Sequence, residues 1–445
     1  MKNAIVRAQL ALLLVFGFVY CVNAQDSDGL IAKPEEDHSY KPLKLNLDEG
    51  GKKYIRFIVW HQQWLQTNNL EVDDAKTQLT SFARRSRFLA YAQISPRFLI
   101  LTHIGLNNQT PRNQTSLGNN GNSAQFFLHD AWTEFKVSKN DALHIGTGLH
   151  YWKGLTRLAN ASTLNFMTLD QARPFTQWHS LGVTDQFARH FGVYAKGQIG
   201  QFDYRFAVNN PLNPANALGG GRNYGTIAAI VDGEPVPFPN AEASDITYDG
   251  RNRNDTDGDP TGNTIVEGYF RYNVFDKEST KLPYQVGTYF GKKKVLGIGA
   301  GFFSHANGAF NNSTGEHENV FHVAGDIFYD APAPGGGINA YASFISFDYG
   351  GNYVSRWAGS GTNFYAHAGY FLSNLKIMPY IAYQSGSYDA LEDNITSFDF
   401  GVNYYVNGHN AKITLEYHTI RGDYRDGPNT DGDITQWRLQ THIFL

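Results

Sequence analysis

Residues 434–445 read ITQWRLQTHIFL, and the chain stops there on Leu445. Every second residue gives Trp437, Leu439, Thr441, Ile443 and Leu445 on one side and Gln436, Arg438, Gln440, His442 and Phe444 on the other. That spacing is the period of two of a β-strand, whose side chains point alternately to opposite faces. The mean hydropathy of the whole chain is -0.39, so an apolar last residue with no polar tail to cover it calls for a reason.

Working back from this end, the same alternation recurs in segments 53–64, 82–94, 97–106, 126–137, 142–151, 188–197, 201–209, 264–275, 295–304, 320–329, 338–347, 363–372, 376–385, 396–406 and 412–420. With the terminal segment they predict sixteen strands, rich in aromatic residues and separated by Gly, Asn, Asp and Pro. Joins after even-numbered strands are mostly brief, such as Ser95-Pro96. Joins after odd-numbered strands are long: 65–81, 107–125, 152–187, 210–263, 305–319, 348–362, 386–395 and 421–433. Segments 276–294 and 330–337 break the rule, being longer than tight turns on the short side.

One rim of small turns and one of large loops is the pattern of a 16-stranded antiparallel transmembrane β-barrel. In such a barrel apolar side chains meet lipid and polar ones line an aqueous interior. The faces divide accordingly. Asp130, Glu134 and Lys136 share a face with Trp132; Asp203 and Arg205 oppose Phe202, Tyr204, Phe206 and Val208; Glu267, Arg271 and Asn273 oppose Val266, Phe270 and Val274. A soluble β-sandwich also alternates, but strand number and loop asymmetry favour the barrel. The apolar terminus then has a place: the last strand ends where the barrel wall ends.

Residues 1–24 carry Lys2 and Arg7, an apolar run at 10–22, and small residues before Gln25. This is the form of a secretory signal peptide cleaved near Ala24–Gln25, with an apolar run too short to span a bilayer as a helix. Segment 25–50 reads as a polar arm outside the main fold, and 51–445 as the barrel. The single cysteine, Cys21, leaves with the leader, so stability has to come from backbone pairing and burial. Of the 37 Lys and Arg residues two lie in the leader, and all 41 Asp and Glu lie beyond it. That mild acidity gives no electrostatic footprint for nucleic acid.

Three stretches resemble the phosphate-selective porin O and P family: RRSRF at 84–88, GLTRLANAS at 154–162, and FGVYAKGQIGQFDYRFAVNN at 191–210. The resemblance extends in strand order over the mature chain. It implies a homotrimeric porin in the outer membrane of a Gram-negative bacterium, with loop 152–187 folded into the lumen. Tyr151, Trp152 and Lys153 stand where the family has Pro-Phe before its Gly-Leu. Phosphate selection resembles a dense ladder of Arg and Lys, whereas here Asp203, Glu267, Asp326, Asp399 and Glu416 are interspersed with the cations, so phosphate is not assigned.

The predicted function is passive diffusion of small hydrophilic solutes or ions, anions included, with outer-membrane lipid around the barrel. Charged side chains at the narrowest section set the field that a solute crosses. The candidate constriction is Lys153, Arg157, Asp170 and Arg173 from the loop, facing Arg85, Arg87, Asp130 and Glu134. Arg56, Lys136, Lys196, Arg205, Arg271 and Arg438 complete the cationic wall. The competing role for Arg85 and Arg87 is purely structural pairing with neighbouring wall carboxylates.

Gly146, Gly148, Gly297, Gly299 and Gly301 on the inner face predict close approach of a loop or a neighbouring backbone. Asp255, Asp257 and Asp259 at alternate loop positions suit calcium, although Pro260 replaces the Gly of the helix–loop–helix motif; no other cofactor is implied. Two rival functions use the same barrel: an accessory subunit of an uptake or secretion complex, and a hydrolase with Ser360 as nucleophile. Against the hydrolase, Ser360 does not lie on a strand-to-helix elbow.

Overall fold

A computed structural model describes residues 42–71, 78–109, 127–151, 154–170, 189–210, 229–231, 234–236, 246–248, 263–282, 284–311, 314–350, 360–389, 394–422 and 433–445. Among these, sixteen strands form one closed antiparallel barrel. They are β1 Tyr54–Thr67, β2 Leu79–Gln93, β3 Phe98–Gln109, β4 Phe127–Lys136, β5 His144–His150, β6 His190–Ile199, β7 Phe202–Asn209 and β8 Ile265–Asn273, followed by β9 Val295–Asn311, β10 Glu316–Ala333, β11 Gly336–Phe347, β12 Gly361–Leu372, β13 Ile377–Tyr388, β14 Ile395–His409, β15 Ala411–Arg421 and β16 Ile434–Phe444. Each pairs with its sequence neighbours, including β7 with β8 across the long connection. The sheet closes where Trp60–Gln66 of β1 pair with Phe444–Arg438 of β16.

The seam is completed from the N-terminal side. The Leu445 amide donates to Val59 O (3.0 Å) and the Phe57 amide to Leu43 O (2.9 Å), while Lys44–Asn46 pair antiparallel with Tyr54–Arg56. The last residues of the segment assigned by sequence to an outer arm therefore occupy wall space beyond the end of β16. A closed wall needs this, because an unpaired edge in lipid leaves backbone amides without partners.

Alternation sets the two faces as the sequence predicts. Outward side chains remain exposed although apolar: Ile443 58%, Phe344 52%, Ile298 52%, Ile381 49% and Phe400 49%. An apolar exterior running around the barrel is a surface for hydrocarbon rather than water. Their inward neighbours are polar and buried, among them Gln440, His442, Asn339, Asp330, Asn403 and Glu267. No helix among the described residues is long and apolar enough to cross a membrane, and the crossing is made by strands.

Two connections differ from the sequence expectation. The join at 305–319 is mostly strand, because β9 and β10 continue as a hairpin past a bulge between His305 and Ala309. That region is rich in His, Asn, Gly and Glu, so the apolar–polar alternation fades although backbone pairing continues. The join at 330–337 shrinks to Pro334-Gly335, with Asp330 to Ala333 still paired to β11. Gly335 supplies the left-handed φ of 74° that this tight turn requires.

Candidate functional site: a polar lumen bridged by two inward segments

The interior is crossed by two segments that enter from opposite rims. Residues 154–170 come from the long-loop side between β5 and β6, and residues 276–294 from the short-turn side between β8 and β9. They meet inside the barrel, where Ser162 N donates to Gln285 O (2.8 Å) and Gln285 N to Asn160 O (2.8 Å). Neither carries long regular structure; a single 3-10 turn, Leu158–Asn160, occurs in the first. Their backbone groups are satisfied largely by the polar wall, as buried amides require.

The first segment starts where glycines allow backbone to lie on backbone. A Cβ on Gly301 would stand 2.3 Å from Leu155 O, and one on Gly154 would stand 2.2 Å from Phe302 O. Gly301 thus makes the close approach to a loop predicted for the inner-face glycines, whereas Gly297 and Gly299 of the same strand face the side chains of Arg271 and of Tyr269 and Asp326. The chain then runs across the bore. Gly154 N donates to Glu267 (3.1 Å), Leu169 N to Tyr380 Oη (3.0 Å), Lys412 Nζ to Phe166 O (2.7 Å) and Asn403 Nδ2 to Met167 O (2.7 Å).

Asp170 ends the described part of that segment in a fork of two arginines: Arg84 Nε at 2.8 Å and Arg85 Nη2 at 2.8 Å. Strict alternation would send Arg84 outward, toward lipid. A bulge opposite Gln62 and Gln63 adds one residue to β2, and both arginines consequently point inward and are buried. A bulge re-aims a side chain in just this way. Arg85 therefore pairs with the loop, and Arg84 is a second partner of Asp170 that the sequence pattern hides.

The second segment was legible only as an over-long turn. Its Glu278 receives both Nη atoms of Arg157, at 2.6 and 2.7 Å, and also contacts Arg271 and the Tyr289 hydroxyl (2.7 Å). Burial by itself would raise the Glu278 carboxyl, but Arg157 and Arg271, with hydrogen bonds from Arg157 and Tyr289, outweigh burial and hold it down to about 2. Burial likewise opposes the Arg157 charge, and Glu278 overcomes it, so Arg157 is raised above the usual arginine range. The Arg157 guanidinium also lies 3.6 Å from the centre of the Phe328 ring.

Further along, Thr288 Oγ1 and the amides of Tyr289 and Gly291 converge on Asp330, at 2.8 to 3.1 Å. Phe290 packs against Phe371 and Tyr405. At the other side of the bore, Lys281 O accepts from Lys196 Nζ (2.8 Å) and Tyr284 Oη donates to Asp130 (3.3 Å).

Asp130 is fully buried between His103 (2.7 Å) and Arg189 (3.1 Å), the latter another cation the sequence reading did not single out. Glu134 binds Lys196 (2.9 Å), His144 and Tyr194. Arg87 contacts Asn107 and His103, Arg205 contacts Asn160, Arg271 contacts Asp203, and Arg56 contacts the Tyr91 hydroxyl. Lys136 instead reaches the rim carboxylate Asp141 (2.7 Å), and Arg438 lies 3.8 Å from Glu416, near the wall.

Lys153 and Arg173, and the candidate calcium ligands Asp255, Asp257 and Asp259, lie outside the described residues. At the end of loop 421–433, Asp433 is engaged by Arg421 (2.9 Å) and the Gly422 amide. Among the described residues, donor atoms converge within 4.8 Å in two clusters, His103–His129–Asp130 and Asp399–Glu416–His418. In the first, the Arg189 guanidinium already occupies the Asp130 carboxylate that a metal would need. Ser360 donates to Gly350 O (2.7 Å) and accepts from the Tyr349 amide (3.1 Å), roles that brace a loop.

The lumen is consequently uneven. Leu155, Phe303, Val320, Ile345 and Phe347 form a dry cluster inside one half. In the other half, between the two inward segments and the inner faces of β1 to β4, a cavity of ≈ 370 Å³ remains, edged by Trp60, Arg87, Leu164 and Tyr284.

No protein-family model matches the sequence, and no curated relative matches it. Solved structures do match. OmpF of Salmonella typhi, in a complex with daunomycin, aligns over 89% of this chain and 99% of its own at 11% identity with a TM-score of 0.54. OprB of Pseudomonas putida aligns over 88% and 94% at 10% identity and 0.53. An anion-selective porin from Comamonas acidovorans aligns over 88% and 100% at 8% identity and 0.50. At such identities the likeness is one of fold: the chain has the 16-stranded architecture of outer-membrane porins.

Proposed function

We propose that the chain is an outer-membrane porin that lets small hydrophilic solutes or ions diffuse passively, with a preference for anions, through a bore narrowed by segments 154–170 and 276–294. The observation that supports this best is the pairing of an apolar exterior with a largely polar and charged interior around one closed sheet. Anion preference is supported by the cations that line the remaining space, Arg56, Arg87, Arg189, Arg271 and Lys281, of which Arg189 is paired with Asp130 and Arg271 with Asp203 and Glu278. The stretches at 84–88, 154–162 and 191–210 support kinship with phosphate-selective porins, and with it a homotrimer exported after removal of its leader. Reversal potential in a salt gradient tests the sign: the zero-current voltage should follow the anion, and a cation-directed potential would refute the preference.

A second reading, an accessory barrel of an uptake or secretion complex, is supported by the filling of the bore: Asp130, His150, Asn273 and His305 line it at 0% exposure. Swelling of proteoliposomes in small sugars separates the two, since a docking barrel need pass none.

A further inference from the structure

Segment 276–294 leaves and rejoins the wall through a short ladder at the short-turn rim. Val274 N donates to Leu296 O (2.8 Å) and Asp276 N to Lys294 O (3.0 Å), while Asp276 Oδ2 accepts from the Lys294 amide (2.9 Å). The register of β8 with β9 sets Tyr272 opposite Ile298, so the outward positions run on through Val274 and Leu296 to Asp276 and Lys294. Tyr272, Val274 and Ile298 stand exposed on the lipid face, and Lys294 is exposed at the rim end of that column. Its Nζ lies 4.3 Å from the centre of the Phe275 ring, which is itself exposed. A lysine so placed lays its stem on apolar surface and holds its ammonium at the level of lipid headgroups.

Three more cations crowd the same ladder. Lys293 Nζ donates to Lys277 O, which sets these two residues side by side, and Lys277 and Lys292 are both exposed. Among the described residues no carboxylate forms an ion pair with Lys277, Lys292 or Lys294. Glu278, the nearest acid in sequence after Asp276, is turned into the bore and taken by Arg157 and Arg271. One carboxylate, Asp276, is left against four ammoniums. The same neighbourhood of charge and grease recurs in other turns of this rim, where exposed Arg97 precedes exposed Phe98 and exposed Lys376 follows exposed Leu375. A cluster of lysines at the edge of a lipid-facing surface attracts anionic headgroups, and each ammonium can donate charge-assisted hydrogen bonds to phosphate oxygens.

We propose that Lys277, Lys292 and Lys294 form a binding site for the headgroup of an anionic phospholipid in the leaflet at the short-turn rim, with Phe275 against the start of its acyl chains. The site goes beyond the channel reading and does not depend on it: it needs only the lipid-facing wall, and an accessory barrel would carry it equally. A lipid held there grips segment 276–294 one residue from Glu278, whose carboxylate fastens the bridge across the bore.

The test uses the full-length protein purified in a nonionic detergent and titrated with dioleoyl phosphatidylglycerol or dioleoyl phosphatidylcholine, the lipid retained per protein being counted by native mass spectrometry. The two lipids share their chains and differ in net charge. Phosphatidylglycerol should be retained about fivefold more tightly or better, since a single lysine near an anionic surface is worth about that factor. The triple variant Lys277→Gln, Lys292→Gln, Lys294→Gln should lose the preference. The Lys294 hydrogen bonds of the ladder come from its backbone, so the wall should persist; where the triple variant fails to fold, Lys292→Gln alone should lower the preference by about twofold or more. Sedimentation with peptidoglycan sacculi probes a rival polyanion. Equal retention of the two lipids, or a preference that survives in the variants, would overturn the inference; with equal retention, sacculus binding that the triple variant loses would assign the patch to peptidoglycan instead. Conductance in planar bilayers, read in parallel, decides the channel reading without touching this one.

Discussion

The guanidinium of Arg157 and the carboxylate of Glu278 meet at 2.6 and 2.7 Å although they lie on segments that enter the barrel from opposite rims. This fork, together with the Ser162–Gln285 and Gln285–Asn160 backbone bonds, joins the two segments into one bridge across the bore. Removing the carboxylate takes the ion-pair partner from the buried Arg157 guanidinium, while Arg271 keeps Asp203. Breaking a buried pair on one side costs about 3–5 kcal/mol. Glu278→Gln should therefore loosen the bridge, and single-channel recordings should show larger and noisier open currents than the unaltered protein; unchanged currents would mean the fork holds nothing in place.

Acid should release the same fork. A carboxyl held at about 2 when docked, against an ordinary 4.5, favours docking fully above pH 4.5. That contribution shrinks as pH falls from there and is gone below about 2. Arg157, raised above its usual range, keeps its charge throughout. Conductance should hold steady from neutral pH to about 4.5 and rise below it. In Glu278→Gln this acid-dependent rise should be missing, which isolates Glu278 from other carboxylates that titrate in the same range.

All sixteen strands could be read from the chain because lipid outside and polar groups inside force a period of two on each. The reading failed where that demand lapses. The hairpin at 305–319 is rich in His, Asn, Gly and Glu and passed for a loop. Arg84 sits at a bulge, and no count of alternate positions finds a residue inserted out of step. Segment 276–294 showed its length but not its direction; Gly287, packed on Asn165, and Gly291, packed on Gly337, are the marks of its inward docking, and they look like ordinary turn glycines until the partner backbone is known. Asp170 and Arg85, grouped from the sequence, meet at 2.8 Å, whereas Glu278, the partner that fixes Arg157, was missed because it lies on the rim assigned to short turns.

Asp170 places one negative charge between Arg84 and Arg85 at the far end of the first segment. Asp170→Asn leaves both guanidiniums in the lumen with a neutral acceptor, so the ratio of anion to cation permeability should rise. Reversal potential in a potassium chloride gradient measures it, and a shift toward cations would contradict the charge assignment.

Gly301 is where the loop backbone rests on the wall. Gly301→Leu places side-chain atoms where Leu155 now lies, since even a Cβ would come within 2.3 Å of Leu155 O. Overpacking of this kind costs about 1–3 kcal/mol. The midpoint of thermal unfolding in detergent should fall, and proteolysis within 154–170 should speed up, while the barrel strands stay protected.

Ile381 points away from the lumen at 49% exposure. A charge there meets hydrocarbon, and Arg on the lipid face near mid-membrane costs about 2–4 kcal/mol. Ile381→Arg should refold into lipid vesicles with a correspondingly lower stability in urea, whereas Gln384→Arg, on the inner face of the same strand, should lose less. Equal losses would place both residues in the same environment.

Current through single copies of the purified chain in a planar bilayer tests the whole account most directly. Discrete ohmic steps that grow when Glu278 is replaced by Gln are the predicted result. A bilayer that stays silent with both proteins, although each is folded and inserted, would contradict it.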